Sequence, residues 1–376
     1  MKILFLHFFD FSPFSGISKK INYQISAFRN LGHSTDICYI KIDNEGQQYR
    51  VCGDSTIDVF GAGPLAKILK WFRFKNLTTF IKDNGYDLLY VRSFYNTTPT
   101  LLKMNRILHK AGIRIIVELP TYPYEREFDK IPLKNKFTFY IDKVFRCNLK
   151  KYIDFIVTFS EFNEILGVKT IQISNGIDFD QVRIKREHSI DESGIRLIGV
   201  AEIHYWHGFD RIIEGLADYY RGPDNNRADV YFDIVGEGVK EDLEYLKQLV
   251  RDNNLGDYVV FHGNCHGEQL DNLFDNADFG VASLARHRSG ITKIKTLKTR
   301  EYAARGIPFI YSEIDDDFES MPYIIKASMD ETPVDIGKIV EFCQTNRFTP
   351  LHIRNSVRET LSWDIQMKKV IESVTS

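Results

Sequence analysis

Hydrophobic residues along this chain form short apolar runs that alternate with stretches of helical periodicity. Near the N-terminus, ILFLHFF predicts a strand, and ISKKINYQISAFRNLGH predicts a helix that ends at Gly32, the residue type that commonly follows a last helical turn. Further apolar runs follow at STDICYIKI, DLLYVRS, IRIIVELP and DFIVTFS. Strands that alternate with helices of about 10–15 residues predict a parallel, doubly wound sheet.

The second half of the chain repeats this plan. RLIGVAEI, VYFDIVGEG, YVVFHG and ADFGVASL predict strands, with helical patterns such as FDRIIEGLADYYR and VKEDLEYLKQLVRDNNLG between them. The turn cluster SNGIDFDQVRIK lies between the two halves and suits a hinge. The fold class is therefore α/β, with two Rossmann-like domains at about 1–174 and 175–359.

Composition bounds the class of protein. The 376 residues are 43% hydrophobic and 27% charged, which is typical of a globular protein. The five cysteines include no Cys-x-x-Cys pair, which argues against a zinc site or a disulfide framework and fits a reducing cytoplasm. No apolar run reaches about 18 residues, so we expect no membrane-spanning helix. His7 and Asp10 interrupt MKILFLHFFD, which favours a buried strand over a signal peptide.

Charge is divided unevenly between the two halves. Residues 1–174 carry 25 Lys and Arg against 16 Asp and Glu, and residues 175–376 carry 24 against 35. The net charges are thus +9 and −11, within a total of −2. A basic N-terminal half indicates an anionic partner: a membrane surface, a phosphorylated acceptor or nucleic acid. The absence of a nucleic-acid-binding motif disfavours the last of these.

The segment 289–308 carries the clearest chemistry. It predicts a glycine-containing loop, a helix, and a Gly-x-Pro turn into the apolar run FIYS. A helix N-terminus after such a loop is an anion site, because its free N–H groups and its dipole both favour negative charge. Lys298 adds a positive charge there, and Glu301 lies one turn further on, placed to accept hydrogen bonds from sugar hydroxyls. Together these features suit a nucleotide-sugar.

Several motifs in order resemble the GT-B glycosyltransferases, in particular the retaining glycosyltransferase family 4 of bacterial surface-polysaccharide assembly. They cover nearly the whole chain: Ser15-Gly16 before a helix that ends Leu31-Gly32-His33, Asn175-Gly176-Ile177-Asp178, Trp206-His207-Gly208, Gly236-Glu237-Gly238, Phe261-His262-Gly263 and 298–308. The resemblance implies two domains across a cleft, with the donor in the C-terminal domain and the acceptor in the N-terminal one. It also implies that a final helix at about 360–376 packs back on the first domain.

The resemblance implies a function as well. We expect a cytoplasmic enzyme, free or at the inner face of the membrane, that moves a sugar from a nucleotide-diphosphate donor to a glycan acceptor, in particular a lipid-linked one. No metal and no cofactor is expected. The expected catalytic residues are Glu118, Lys298 and Glu301. The expected donor-binding residues are Gly16, His207, Gly236, Glu237, Gly263, Asn264, Lys293, Lys298 and Glu301, and the acceptor-binding residues are Tyr122, Tyr124 and Arg126.

The sequence departs from the family pattern at several positions. The first glutamate of the usual Glu-x7-Glu signature falls at Lys293, and the usual Arg and Lys that grip the diphosphate fall at Glu202 and His207. The family's active-site histidine falls near Pro120. Either nearby cations compensate, or the protein is a weak or inactive relative that acts as a binding subunit. A GT-B nucleotide-sugar epimerase is a further alternative.

Two of these assignments have simpler readings. Glu301 is also placed to pair with Lys298 or Arg305 on an exposed helix, and Glu118 is equally compatible with a capping or salt-bridged role.

A basic, aromatic stretch at 65–83, LAKILKWFRFKNLTTFIKD, is compatible with contact with a membrane surface and equally with ordinary packing of its aromatic residues. Leu65, Ile68, Leu69 and Phe72 have helical spacing and predict a core-facing stripe. Aromatic residues off that stripe, among lysines and arginines, are typical of a helix at a membrane interface. KNKFTFYIDKVFRCNLKKY has a similar composition.

Overall fold

The computed structural model describes residues 1–11, 16–93, 96–123, 133–187, 194–223 and 227–375, with the backbone alone for 133–137. The chain divides into two compact units. The first comprises Met1–Gly176 and Trp363–Ser376, and the second comprises Ile177–Ser362. The predicted boundary lay at residue 174, and the predicted return of the chain at about residue 360.

The first unit is built on a nine-stranded sheet in the order β4-β3-β2-β1-β5-β6-β7-β9-β8. Its central strands are parallel, whereas β3, β4 and β8 pair antiparallel with their neighbours. The strands are β1 (Lys2–Leu6), β2 (Ser34–Ile42), β3 (Gln48–Cys52), β4 (Ser55–Gly61), β5 (Leu88–Arg92), β6 (Arg114–Leu119), β7 (Phe155–Thr158), β8 (Glu164–Ile165) and β9 (Val168–Gln172).

Helices cover this first sheet. They are α1 (Gly16–Asn30), α2 (Gly63–Phe72), α3 (Lys75–Asp83), α4 (Pro99–Lys110), α5 (Leu133–Phe145) and α12 (Trp363–Thr375). The last of them packs against α1, where Trp363, Met367 and Val370 share a buried cluster with Ile21 and Phe28. The C-terminal helix therefore belongs to the core of the first unit.

The second unit contains a fully parallel six-stranded sheet in the order β12-β11-β10-β13-β14-β15. Its strands are β10 (Ile195–Val200), β11 (Val230–Val235), β12 (Val259–Gly263), β13 (Phe279–Val281), β14 (Phe309–Tyr311) and β15 (Ile324–Lys326). Its helices are α6 (Phe209–Arg221), α7 (Lys240–Asp252), α8 (Glu268–Asn276), α9 (Leu297–Arg305), α10 (Ile336–Thr345) and α11 (Pro350–Leu361). Helices on both faces explain why the central strands are largely apolar, with Arg196 in β10 and Asp233 in β11 as exceptions.

The α/β fold class with two doubly wound domains is confirmed. The predicted strands are present, and Gly32 takes the left-handed conformation, with φ +82°, just after α1. The hairpin of β3 and β4 was not predicted.

The predicted core stripe on the basic helix is wrong. The helix breaks into α2 and α3, and Leu65 and Ile68 are 65% and 51% exposed, whereas Phe74 is buried. The buried Arg50 guanidinium accounts for the break, since it donates to the carbonyl oxygens of Lys70 and Arg73 at the end of α2. The helix face that carries Leu65 and Ile68, which the sequence predicted to be buried, is therefore exposed.

Candidate functional site

The carboxyl edge of the six-stranded sheet carries most of the predicted donor-binding residues. From β10 the chain runs outward to β11 and β12 on one side, and then from β13 to β14 and β15 on the other. The loops after β10 and β13 therefore diverge, and open parallel sheets bind ligands in the crevice that such a divergence creates. The loops after β10, β13 and β14 are joined there, because Leu284 N–H donates to His207 and Ser312 N–H donates to Ser283.

Close packing fixes the first of these loops. Gly208 has φ +67°, and a Cβ at this position would lie 2.9 Å from the Cβ of Leu284. The buried Arg211 on α6 donates to the carbonyl oxygens of Leu284, Ser328 and Thr332. The polar groups at this edge thus rest on a well-connected scaffold.

Lys298 lies in the first turn of α9, whose N-terminus is capped by the Thr296 hydroxyl. Its ammonium group is buried and makes no hydrogen bond to any residue that the structure describes. Its nearest aromatic contact is the Phe209 ring, 5.5 Å from Nζ to the ring centroid. Burial and the charge of Arg286 hold the pKa of Lys298 well below its usual range, against the attraction of Glu313. A buried amine without a partner is costly, which indicates that a ligand satisfies it.

Arg286 and Glu313 flank this lysine. Arg286 Nε is buried without a hydrogen bond in the described ranges, and its guanidinium lies 5.7 Å from the Trp206 ring centroid. Glu313 follows β14 and is 1% exposed, and neither of its carboxylate oxygens bonds to another described residue. Burial raises the pKa of Glu313 to about 7, although its own backbone N–H, Arg286 and Lys298 oppose that shift. The Ser283 hydroxyl is also buried without a partner among the described residues.

His207 adds a neutral donor to the same edge. Its Nδ1 accepts a hydrogen bond from His204 N–H at 3.1 Å, which assigns the ring proton to Nε2. The ring stacks on Phe209 with centroids 5.8 Å apart. Burial, followed by the charges of Lys298 and Arg286, keeps the pKa of His207 well below its usual range. The residue therefore acts as an uncharged N–H donor at neutral pH.

Two glycine-containing loops form another part of the edge, after β11 and β12. Gly236 N–H donates to the Gly263 carbonyl at 2.7 Å, and the Asn264 amide exchanges hydrogen bonds with Glu237. Gly236 has φ +124°, and a Cβ there would lie 1.8 Å from the Ala201 carbonyl oxygen, so only glycine fits. The structure thus brings together four residues that the sequence predicted as donor-binding.

This edge presents two cations, a neutral N–H donor, a helix N-terminus and one buried carboxylate. The first four favour an anionic ligand. The carboxylate favours a ligand that also carries hydrogen-bond donors.

Solved structures share this architecture. HepE of Anabaena in complex with UDP matches with a TM-score of 0.62 and 14% identity over 100% of both chains. Sucrose-phosphate synthase of Thermosynechococcus elongatus matches with 0.67 and 13%, over 100% of this chain and 99% of that one. The lipopolysaccharide outer core galactosyltransferase WaaB, in its apo form, matches with 0.60 and 13% over 100% of both chains. No family model and no curated protein matches the sequence.

The protein has the GT-B fold. In the second unit, Glu301 accepts a hydrogen bond from Arg305 Nε at 3.0 Å and remains partly exposed. Arg305 also binds Asp271 at 2.7 Å. The pairing of Glu301 with Arg305 is the simpler reading of its position on the helix. Its predicted role at a ribose stays a prediction.

The other cations near α9 are held by the acidic loop after β14. Lys293 Nζ lies 2.8 Å from Asp316, and Lys295 lies 3.6 Å from Asp317. The buried Arg300 is paired with Asp315 and Asp317. Lys293 therefore has an ion-pair partner where a donor contact was expected, whereas the ammonium of Lys298 has none in the described chain.

In the first unit, Glu118 is fully buried. It is the penultimate residue of β6 and accepts hydrogen bonds from Tyr90 (2.6 Å), Gln24 (2.7 Å) and Arg92, with Lys20 Nζ 3.8 Å away. Burial raises the pKa of Glu118, but Arg92, Lys20 and the two hydrogen bonds outweigh it and leave that pKa lowered. This is the salt-bridged alternative, and it gives no support to a catalytic role.

The remaining predicted residues of the first unit are only partly described. Tyr122 is half-buried and packs edge-on against Phe162, with ring centroids 5.1 Å apart. Tyr124 and Arg126 lie outside the described residues. Gly16 is exposed as the first residue of α1.

Sequence reasoning missed three residues. Arg286 and Glu313 complete the charge cluster around Lys298. His7, at the carboxyl end of β1, is buried beside Arg92 and Glu118, and burial lowers its pKa to about 4. A lone residue just after an apolar run was the only signal for each.

Two kinds of feature are absent from the described ranges. No helix there is long and apolar enough to cross a membrane. No group of three or more His, Cys, Asp and Glu side chains in those ranges is arranged to hold a metal ion.

Proposed function

We propose that this protein is a glycosyltransferase that moves a sugar from a nucleotide-diphosphate donor to a glycan acceptor. The observation that carries the proposal is the buried, unpartnered ammonium of Lys298 at the carboxyl edge of the second sheet. HepE, which shares the fold, was crystallised with UDP and with UDP-glucose. A diphosphate is the ligand that matches Lys298, Arg286 and the N-terminus of α9 together.

In this proposal the second unit stabilises the leaving diphosphate. Two cations and the helix dipole act on the charge that develops as the glycosidic bond breaks, and the His207 Nε2–H donates a further hydrogen bond. Preorganised groups in a site of low polarity contribute more than the same groups in water. We propose that this arrangement works without a metal and with retention of anomeric configuration.

We further propose that the acceptor is lipid-linked and belongs to surface-polysaccharide assembly. The basic N-terminal half and the exposed Leu65 and Ile68 of α2, next to the exposed Lys67, support contact with an anionic membrane. Replacing Leu65 and Ile68 by Asp should lower co-sedimentation with phosphatidylglycerol vesicles. Replacing Leu351, which is 56% exposed in the second unit, by Asp is the matched control. Equal co-sedimentation of all three proteins would remove the membrane contact from the proposal.

A thermal-shift screen with UDP, GDP, ADP and their sugars tests the central part. A nucleotide that binds the folded state raises the unfolding midpoint by linkage, by about 2.7 kcal/mol of free energy at 100 times its dissociation constant. We expect one base to stand out. No shift with any nucleotide or nucleotide-sugar would refute donor binding.

A catalytically weak binding subunit is the second candidate, and the saturated Glu118 together with the ion-paired Lys293 favours it. Donor hydrolysis, or transfer in the presence of membrane-extracted acceptors, separates the two. Binding without any turnover would support the subunit. NMR analysis of the released sugar nucleotide would reveal an epimerase instead.

A further inference from the structure

Glu313 is the most unusual carboxylate in the second unit. It lies just after β14, is 1% exposed, and neither oxygen bonds to another described residue. An ionised carboxylate has about four acceptor positions, and burying most of them without a donor is unfavourable. Apolar packing of the side chain cannot replace the missing hydrogen bonds.

The surroundings of Glu313 determine what can satisfy it. Arg286 and Lys298 are close enough to act on its charge, yet neither makes a hydrogen bond with its carboxylate oxygens in the described chain. A ligand that contacts the two cations and the carboxylate would satisfy all three groups. A phosphate suits the cations but is repelled by the carboxylate, so the part of the ligand at Glu313 must donate hydrogen bonds.

A hydroxyl next to a phosphate meets both requirements. Hydroxyl groups donate to carboxylates, and a buried carboxylate discriminates strongly between a ligand that carries the hydroxyl and one that lacks it. A nucleotide-sugar carries hydroxyls on both sides of its diphosphate, one set on the transferred sugar and one on the ribose.

Resting on the proposed function, we propose that Glu313 is a specificity residue that accepts hydrogen bonds from donor hydroxyls adjacent to the diphosphate held by Lys298 and Arg286. The same carboxylate then has opposite effects on two parts of one ligand. It strengthens binding of the hydroxyl-bearing sugar and weakens binding of the bare diphosphate.

The test is calorimetric titration of the full chain and of Glu313→Gln, with Glu341→Gln on the exposed face of α10 as matched control. The probes are UDP-glucose, UDP and 2′,3′-dideoxy-UDP, with the guanosine series GDP-mannose, GDP and dideoxy-GDP. We expect Glu313→Gln to lose about 10- to 100-fold in affinity for the hydroxyl-bearing probe. The dideoxy diphosphate should bind equally well or more tightly, because a competing negative charge is gone.

The pattern across probes identifies the hydroxyls. A loss confined to the sugar nucleotide assigns Glu313 to the transferred sugar, and a loss already seen with UDP or GDP assigns it to the ribose. Uniform affinities in wild type and variant overturn the proposal and leave the proposed function intact. If the wild type binds none of these probes and shows no shift with any nucleotide of the thermal-shift screen, the proposed function fails and this proposal fails with it. A thermal midpoint for Glu313→Gln at or above wild type verifies that the variant is folded.

Discussion

Two buried glutamates, one in each unit, lie at or just after the carboxyl ends of parallel strands and differ in nearly everything else. Glu118 accepts hydrogen bonds from Gln24, Tyr90 and Arg92, and Lys20 lies nearby. Glu313 has no such partner in the described chain, and its two neighbouring cations are also unsatisfied. Burial is the same in both cases. Unmet hydrogen-bonding capacity, rather than burial or charge, separates the candidate ligand site from the structural pair.

The pKa directions of the two groups agree with this contrast. Arg92 and its companions outweigh burial at Glu118 and leave its pKa lowered, whereas burial dominates at Glu313 and raises its pKa to about 7. The first carboxylate is therefore ionised at neutral pH at no net penalty. The second is about half protonated at neutral pH, and its full ionisation costs free energy that a hydrogen-bonding ligand would offset.

The largest effect on stability is expected at Glu118. Glu118→Ala leaves the buried Arg92 without its carboxylate and should destabilise the first unit by about 3–5 kcal/mol, measured by urea unfolding. Because the folded pKa is lowered, this contribution is present above about pH 4.5 and is lost as pH falls through the folded pKa. A loss below about 1 kcal/mol would contradict the contrast between the two glutamates, because the hydrogen bonds and the ion pair of Glu118 would then contribute little to stability.

The next effect is on ligand binding. Lys298→Ala should weaken binding of the nucleotide diphosphate by about 100-fold, because the substitution removes the buried positive charge that contacts the anion. Lys293→Ala is the matched variant, and because Lys293 is already paired with Asp316 it should change the affinity by less than about threefold. Equal losses for the two variants in calorimetric titration would contradict the assignment of the site to Lys298.

A smaller effect concerns the pH dependence of folding. The pKa of Glu313 in the folded protein is about 7, against an ordinary value of 4.5. The contribution of Glu313 to the free energy of unfolding is therefore fully present below pH 4.5 and is lost as the pH rises through 7. Glu313→Gln should therefore be more stable than wild type at pH 8, by about 2 kcal/mol, and should match it near pH 4.5. Thermal unfolding at both pH values measures the difference. A variant less stable than wild type at pH 8 would show that Glu313 is paired in solution.

Local sequence patterns predicted much of the fold and part of the site. The strands, the glycine loops after β11 and β12, and Lys298 at the start of α9 all carry short-range signals. The partners of Glu118 come from α1 and β5, and those of Lys293 and Arg300 come from the loop after β14. Such long-range pairings have no local pattern, so the sequence did not show which charges are already satisfied.

The break between α2 and α3 has a similar origin. Its cause is Arg50 on β3, a strand that was itself not predicted, which takes the last carbonyl oxygens of α2. The helical periodicity of the sequence continues through this point, so it predicted one long helix with Leu65 and Ile68 on the buried face. In the structure the helix ends at Phe72 and both residues are exposed.

The most direct measurement is a crystal structure with the nucleotide diphosphate that gives the largest thermal shift. We predict a phosphate oxygen about 2.7–3.2 Å from Lys298 Nζ, with Arg286 close to the same diphosphate. We also predict that the ion pairs of Lys293 with Asp316 and of Glu118 with Arg92 remain in place. A nucleotide bound elsewhere, with the Lys298 ammonium still unpaired, would contradict the central claim.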